Sequence, residues 1–265
     1  MTKTSSPNEN MLRCYLTNMY FKQGDNPVIT YLRARGFTDE TIATFRLGST
    51  TTERIIFPIC NENGEVYGFQ TRTTHDNYEG GKKYVNSPNT EFYNKSNFLF
   101  GLDVARGYIP SRGHTLYIVE GNFDVMRMHQ VGMQNTVGVM GSLISEQQAI
   151  EIRKHATNVI LAFDGDDAGE DGMCRSYENL IKQKFNSVTC IRVDDDPDTF
   201  FSCANPVPEE MDMLQVFIEI MYTKRNMSTV EGKYQFIRDM VKVFEVHQDR
   251  EHFVELIAKV LRDEI

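Results

Sequence analysis

Acidic residues in this sequence follow apolar runs at three separate places. Glu120 comes directly after LYIV, Asp164 and Asp166 after VILAF, and Asp196 and Asp198 after IRV. The runs are apolar end to end, as strands buried on both faces are. In open α/β sheets, ligands gather beyond the carboxyl ends of the strands. Three strand ends would thus bring five carboxylates to one sheet edge. Asp124, four residues past Glu120 and about one turn into the next helix, could face the same point. Carboxylates crowded in this way repel one another and are costly to dehydrate. A hard divalent cation relieves both costs. Magnesium, with manganese as the alternative, prefers such oxygens and keeps waters that substrate phosphates can replace. The chemistry that fits is nucleotidyl or phosphoryl transfer on nucleic acid, with metal-bound charge stabilisation or a metal-activated hydroxyl. Taken singly, the DxD of Asp164 and Asp166 reads as a solvated turn, and Asp194-Asp195-Asp196 as a charged loop. Coincidence of all three groups on one edge favours the metal site.

The elements that must position these acids alternate between strand and helix from His114 onward. LYIVEG is a strand, FDVMRMHQVG a short helix closed by Gly132, and TVGVMG a strand. SEQQAIEIRKHA is a helix with Ser145 as N-cap. VILAFDGD, AGEDGMCRSYENLIKQKF and VTCIRV complete a strand–helix–strand series. This order implies a parallel sheet with right-handed crossovers. Upstream, MLRCYLTNMYFKQ is ambiguously helical. YLRARGFTDETIATFRLG reads as two short helices, with Asp39 in the turn between them and Gly48 as a stop. RIIFPICNENGEVYGFQTR reads as a hairpin about Asn61-Glu62-Asn63-Gly64. From Pro206 onward no strand signal is present. MDMLQVFIEIMYTKR, VEGKYQFIRDMVKVFEV and REHFVELIAKVLRDEI have helical periodicity and predict a three-helix bundle, with Ser228 and Glu231 as a capping box. The predicted class is α/β: a mixed α+β subdomain over 31–113 after an extension over 1–30, a Rossmann-like parallel sheet over 114–203, and a helical bundle over 204–265.

Charge is distributed unevenly. Residues 114–203 carry 7 basic and 14 acidic side chains, most of the net charge of −9. The total argues against a nucleic-acid binder, which usually shows a basic footprint. Bound divalent cations would offset part of the central deficit. The 5 cysteines form no CxxC pair and have no histidines at zinc-finger spacing, so reduced thiols are expected and a structural zinc site is not. No apolar run approaches the ~20 residues that span a bilayer. MTKTSSPNEN lacks the apolar stretch of a signal peptide, and a cytoplasmic protein is expected.

VEGNFDV, AFDGDDAG and DDPDTF together resemble the TOPRIM domain, the metal-binding module shared by bacterial-type primases and topoisomerases. YLRARGFTDETIATFRLG, RIIFPICNENGEVYGFQTR, KKYVNSPNTEFYNKSNFLFGL and VGVMGSLIS, in that order, are similar to the catalytic core of DnaG-type primases. STVEGKYQFIRDMVKVF resembles that core's helical subdomain. The likeness covers about residues 30–260. It implies that Glu120 is the TOPRIM glutamate, acting in acid–base or metal chemistry with Asp164 and Asp166. Asp164, Asp166, Asp196 and Asp198 would be the metal-binding aspartates, and Asp124 the acid of EGxxD. It also implies that Arg72, Lys82, Lys83, Tyr84, Asn86 and Lys95, joined by Arg54, form a basic strip for nucleoside triphosphate and template. Without the resemblance, Lys82 and Lys83 read as a solvated loop. Gly121, Gly141 and Gly169 match family positions, where glycine serves close backbone approach, phosphate contact or plain turn chemistry.

The resemblance implies template-directed synthesis of short RNA primers on single-stranded DNA from ribonucleoside triphosphates. Two rivals are a TOPRIM nuclease on the same metals and a weakly catalytic subunit that binds template or helicase. A topoisomerase is disfavoured, because no DNA-gate domain with a nucleophilic tyrosine is recognisable. The sequence departs from the family in having no zinc module, a short link from FRLG to RIIFPI, and Asp in place of Gly before DPD. The expectation is a minimal core that acts alone or with a replicative helicase and a separate zinc-binding template-recognition factor.

Overall fold

The computed structural model describes residues 27–49, 54–75 and 82–263. The MLRCYLTNMYFKQ stretch lies outside them. The first helix among the described residues, α1 (Pro27–Ala34), buries Val28 and Leu32 and is followed by a turn at Gly36, whose φ is +83°. Thr38 then caps α2 (Asp39–Thr44) by accepting a hydrogen bond from the Thr41 N–H. Asp39 is therefore the first helical residue rather than a turn residue, a position where the helix dipole favours an acid. Gly48 does not stop the helix: α2 ends at Phe45, and Gly48 opens the short strand β1 (Gly48–Ser49).

The expected hairpin is present as β2 (Arg54–Cys60) and β3 (Val66–Thr73). The Asn61 side chain accepts from the N–H groups of Asn63 and Glu65, and Gly64 supplies the positive φ at +81°. With β4 (Tyr84–Asn86) they form an antiparallel sheet of order β1-β2-β3-β4. A four-residue helix, α3 (Leu102–Ala105), leads toward the second sheet.

That sheet contains β5 (Thr115–Val119), β6 (Thr136–Gly138), β7 (Asn158–Leu161), β8 (Ser187–Cys190) and β9 (Met211–Asp212), in the order β6-β5-β7-β8-β9. Its first four strands are parallel, as the alternation predicted. The connecting helices are α4 (Asn122–Gln130), α5 (Glu146–His155), α6 (Asp167–Leu180) and the short α7 (Pro197–Ser202). Ser145 caps α5 in a full capping box with Gln148. The VTCIRV run is shorter than predicted: pairing ends at Cys190, with only the Ile191 N–H still reaching Leu161. The antiparallel β9 is a correction to the strand-free reading after Pro206. Two residues are too few to leave a period in the sequence.

Three helices follow: α8 (Met213–Lys224), α9 (Val230–Val246) and α10 (Arg250–Asp263). The cap of α9 is Thr229, which accepts from the Gly232 N–H at 3.0 Å, whereas the Ser228 hydroxyl turns back to Asn226. This replaces the Ser228–Glu231 capping box. No helix among the described residues is long and apolar enough to cross a membrane. Cys60, Cys174, Cys190 and Cys203 are all free thiols.

The parallel sheet separates two cores. Leu116 and Ile118 of β5, with Val159 and Leu161 of β7, pack with α5, α6 and the C-terminal helices. Their alternates Val119, Ile160 and Ala162 pack with α1, α2, β2 and α4. Side chains alternate across a strand, so one sheet carries the mixed subdomain on one face and the helical subdomain on the other. The Phe100 N–H and C=O both pair with Gly138, which covers the β6 edge with chain from the mixed subdomain.

Gly172 lies inside α6 against the chain that follows β6. A Cβ built there would sit 2.0 Å from the Ser142 carbonyl oxygen. Glycine to alanine in a helix interior ordinarily gains up to ~1 kcal/mol. Here the sign should reverse: Gly172→Ala is expected to lower stability by about 1–3 kcal/mol, the scale of overpacking. Urea denaturation checks this, and a stabilised variant would contradict the close packing.

Candidate active site

Parallel pairing of β5 with β7, with Ile118 opposite Leu161, brings the ends of the two strands side by side. The Asp164 N–H, just beyond β7, reaches the Glu120 Oε1 at 3.3 Å. The Asp164 Oδ1 is buried and has no hydrogen-bond partner among the described residues. Gly169 allows this arrangement, since a Cβ there would lie 2.1 Å from the Asp164 carbonyl oxygen. Two further acids start helices. The Asp166 Oδ1 accepts from the Gly169 N–H at 2.7 Å to cap α6. The Asp196 Oδ1 accepts from the Thr199 N–H at 2.7 Å to cap α7. The two acidic loops are tied together where the Gly165 N–H donates to the Asp195 carbonyl at 2.9 Å.

Crowding shows in the proton affinities. Burial, reinforced by Asp124 and Asp166, pushes Glu120 up to about 7. Burial, then the charges of Glu120, Asp196, Asp166 and Asp195, pushes Asp164 up to about 7. Such groups gain from a nearby cation. The donor set is all carboxylate oxygen, one atom of it orphaned, and this fits a hard divalent ion. Among the described residues, no three His, Cys, Asp or Glu side chains are already arranged to hold a metal ion.

Asp124 and Asp198, expected among the metal-binding acids, have their oxygens in hydrogen bonds. The Asp124 carboxylate is buried and accepts from the Gly121 N–H at 2.9 Å and the Asp198 N–H at 3.1 Å. It ties the start of α4 to the start of α7. Burial first, then Asp164 and Asp196, pushes it up to about 7. The Asp198 Oδ1 accepts from the Arg127 Nε at 2.8 Å, and its Oδ2 from the Arg35 Nη2 at 2.5 Å. Both acids border the site with their oxygens already engaged.

The facing wall comes from the mixed subdomain. Arg35, Gln70, Arg72, Lys83, Tyr84 and Asn86 line a cleft of about 530 Å³ opposite Glu120, Asp164 and Asp196. Arg72 is buried: its Nη1 donates to the Tyr31 hydroxyl at 2.5 Å and to the Thr73 carbonyl at 2.9 Å, and its guanidinium lies 5.0 Å from the Phe123 ring centre. Burial pushes the Tyr84 phenol up to about 12. Lys95 sits one step back, with its Nζ donating to the carbonyl of Met140, a lining residue, at 2.8 Å. Lys82 is exposed and does not line the cleft. Arg54 also stays outside: it donates to the Thr71 hydroxyl and to the carbonyls of Thr71, Lys82 and Lys83. It braces the segment that carries the two lysines.

Sequence reasoning missed Arg35, Gln70, Asn122 and Arg127. The Asn122 Nδ2 donates to the Gln70 Oε1 at 2.8 Å, and the Gln70 Nε2 to the Asn86 Oδ1 at 3.0 Å, so one amide chain crosses from α4 to β4. No local spacing marks contacts between residues so far apart in sequence.

The family model for the DNA primase catalytic core, N-terminal domain, matches residues 49–106, and that for the Toprim domain matches 114–192. The chain carries the DnaG-type primase core with its Toprim domain. The DNA primase of Clostridium acetobutylicum is 26% identical over 85% of this chain and 40% of its own length. The chain therefore spans less than half of that relative. The RNA polymerase domain of Mycobacterium tuberculosis primase DnaG is similar in fold, with TM-score 0.76 at 21% identity, over 95% of this chain and 96% of that domain. A DnaG primase catalytic domain bound to ssDNA is also similar, with TM-score 0.75 at 20% identity, over 96% and 94%.

The raised carboxylates of this primase core set a pH dependence. Between the ordinary carboxylate range near ~4 and about 7, the folded chain binds protons that the unfolded chain releases. Their contribution to the stability of the metal-free chain is full below ~4 and declines as pH rises through 7. Asp164→Asn removes one such group. With chelator present, its urea midpoint should fall less than that of the unaltered chain between pH 5 and pH 8. Parallel declines would contradict the assignment.

Proposed function

We propose that the chain makes short RNA primers on single-stranded DNA by metal-assisted nucleotidyl transfer. The observation that carries this is the orphaned Asp164 oxygen in a carboxylate-rich wall, facing Arg35, Arg72 and Lys83 across one cleft. Phosphates need cations close to the metal-holding acids. The primase architecture supports this reading over phosphodiester cleavage on the same acids, because the mixed subdomain supplies that second wall.

In this reading Glu120, Asp164, Asp166 and Asp196 hold divalent cations, magnesium in the first instance and manganese as the substitute. When bound, the cations lower the pKa of the attacking 3′-hydroxyl and neutralise the departing pyrophosphate. Glu120, beside the Asp164 N–H at the β5 end, is placed to take up the hydroxyl proton. Lys83 and Arg35 bind the triphosphate, while Arg72 is held by Tyr31 and Phe123 as a fixed positive wall. Tyr84 and Asn86 orient the nucleotide, and the amide chain through Gln70 and Asn122 holds Asn86 in place. Lys95 supports the Met140–Gly141 rim, and Lys82 tracks the exposed template backbone. The reading also assigns 31–113 to the template and nucleotide wall, 114–203 to the metal module and 204–265 to the helical support. It places the protein in the cytoplasm, with a replicative helicase and a zinc-binding template-recognition factor as partners.

Purified chain with single-stranded DNA, labelled ribonucleotides and magnesium should give short RNA products that chelator abolishes. Asp164→Asn should reduce synthesis at least about 100-fold, the scale of losing a principal electrostatic contact. Lys83→Ala should raise the ribonucleotide KM about tenfold, as for a lost charge-assisted hydrogen bond. Undiminished synthesis by Asp164→Asn would overturn the reading.

A further inference from the structure

Arg127 lies on α4 and is almost fully buried. Its three nitrogens are all used. The Nε donates to the Asp198 Oδ1 at 2.8 Å, the Nη2 to the Arg35 carbonyl at 2.6 Å, and the Nη1 to the Gly36 carbonyl at 3.3 Å. The guanidinium plane covers the Phe37 ring at 4.5 Å from its centre. One planar fork thus holds both the corner that follows α1 and the acid in the first turn of α7, a geometry lysine cannot reproduce.

Asp198 is consequently placed between two guanidiniums, those of Arg127 and Arg35. A cation at this carboxylate would compete with two charge-assisted hydrogen bonds. The cation would also have to approach the two positive charges that hold this carboxylate. Asp164 presents the opposite case, a buried oxygen with no partner among the described residues. Asp164 thus keeps an oxygen open to a cation, whereas Asp198 is the acid clamped by two guanidiniums.

We propose that Arg127 is a positioning residue that withholds Asp198 from the metal and locks the α1–α2 corner against the Toprim sheet. Divalent cations are then held without Asp198, and Asp198 serves as the anchor that aims Arg35 into the cleft. This rests on the metal-site part of the proposed function. It adds that the last acid of the DDPD run is an interlobe clamp rather than a ligand.

The test is manganese binding to the whole chain, followed by calorimetry without nucleotide, alongside ribonucleotide kinetics. Asp198→Asn should bind manganese within about twofold of the unaltered chain, whereas Asp164→Asn should bind it at least about tenfold more weakly, as loss of a ligating charge would. Comparable weakening in both variants would overturn the proposal. Arg127→Met should raise the ribonucleotide KM through displaced Arg35 without weakening manganese binding, and Arg127→Lys should recover part of the KM. If Asp198→Asn fails to fold, Arg127→Lys decides: unchanged manganese affinity with a raised KM supports the clamp, and weakened manganese binding or an unchanged KM refutes it. Failure of the unaltered chain to make primers, with this manganese pattern intact, would count against the primase reading and not against the clamp.

Discussion

Carboxylate crowding at the ends of β5 and β7 is the constraint on which the rest of the molecule depends. Parallel pairing forces Glu120 and Asp164 together, and burial leaves one Asp164 oxygen without a partner among the described residues. The surroundings act to limit this cost. Asp166 spends one oxygen and Asp196 both on helix starts, where N–H and hydroxyl donors and the helix dipole favour negative charge. Asp124 takes two backbone N–H groups, and Asp198 takes two guanidiniums. Each acid has a different compensation, and these compensations sort the acids by what they can still do.

The same compensations join the subdomains. Arg35 and Arg127 do not only balance Asp198; with Gly36 and Phe37 they fasten the first helical corner to α4. The amide chain through Asn122, Gln70 and Asn86 makes a second attachment on the other side of the cleft. The cleft between the basic wall and the acidic edge is thus fixed in width by polar contacts at its floor. Two apolar cores on opposite faces of one sheet hold the sheet itself. Site geometry and subdomain docking are consequently one problem, solved by one set of buried polar groups.

How much of this was legible in the sequence differs by residue. Glu120, Asp164 and Asp166 could be placed because each follows an apolar run whose length and alternation with helices dictate a parallel strand. The hairpin was legible from Asn61 and Gly64, and the α5 start from Ser145 with Gln148, because turn and cap chemistry is local. The α9 cap was displaced by one residue, since Ser228 and Thr229 are both competent and only the Asn226 contact separates them. The two-residue β9 carries no period at all.

The sequence by itself determined the element types, the parallel order of the central strands and the edge at which the acids collect. It did so because hydrophobic period and strand ends are encoded within a few neighbouring residues. Tertiary structure alone decided which acids remain open. Asp198 and Asp164 look alike as aspartates beyond a strand, yet one is clamped by Arg35 and Arg127 and the other has an oxygen with no hydrogen-bond partner among the described residues. That difference depends on partners 163 and 71 residues away, Arg35 from the docked mixed subdomain and Arg127 from α4. No local pattern registers such contacts, because the free energy of a buried charge is set by everything packed around it.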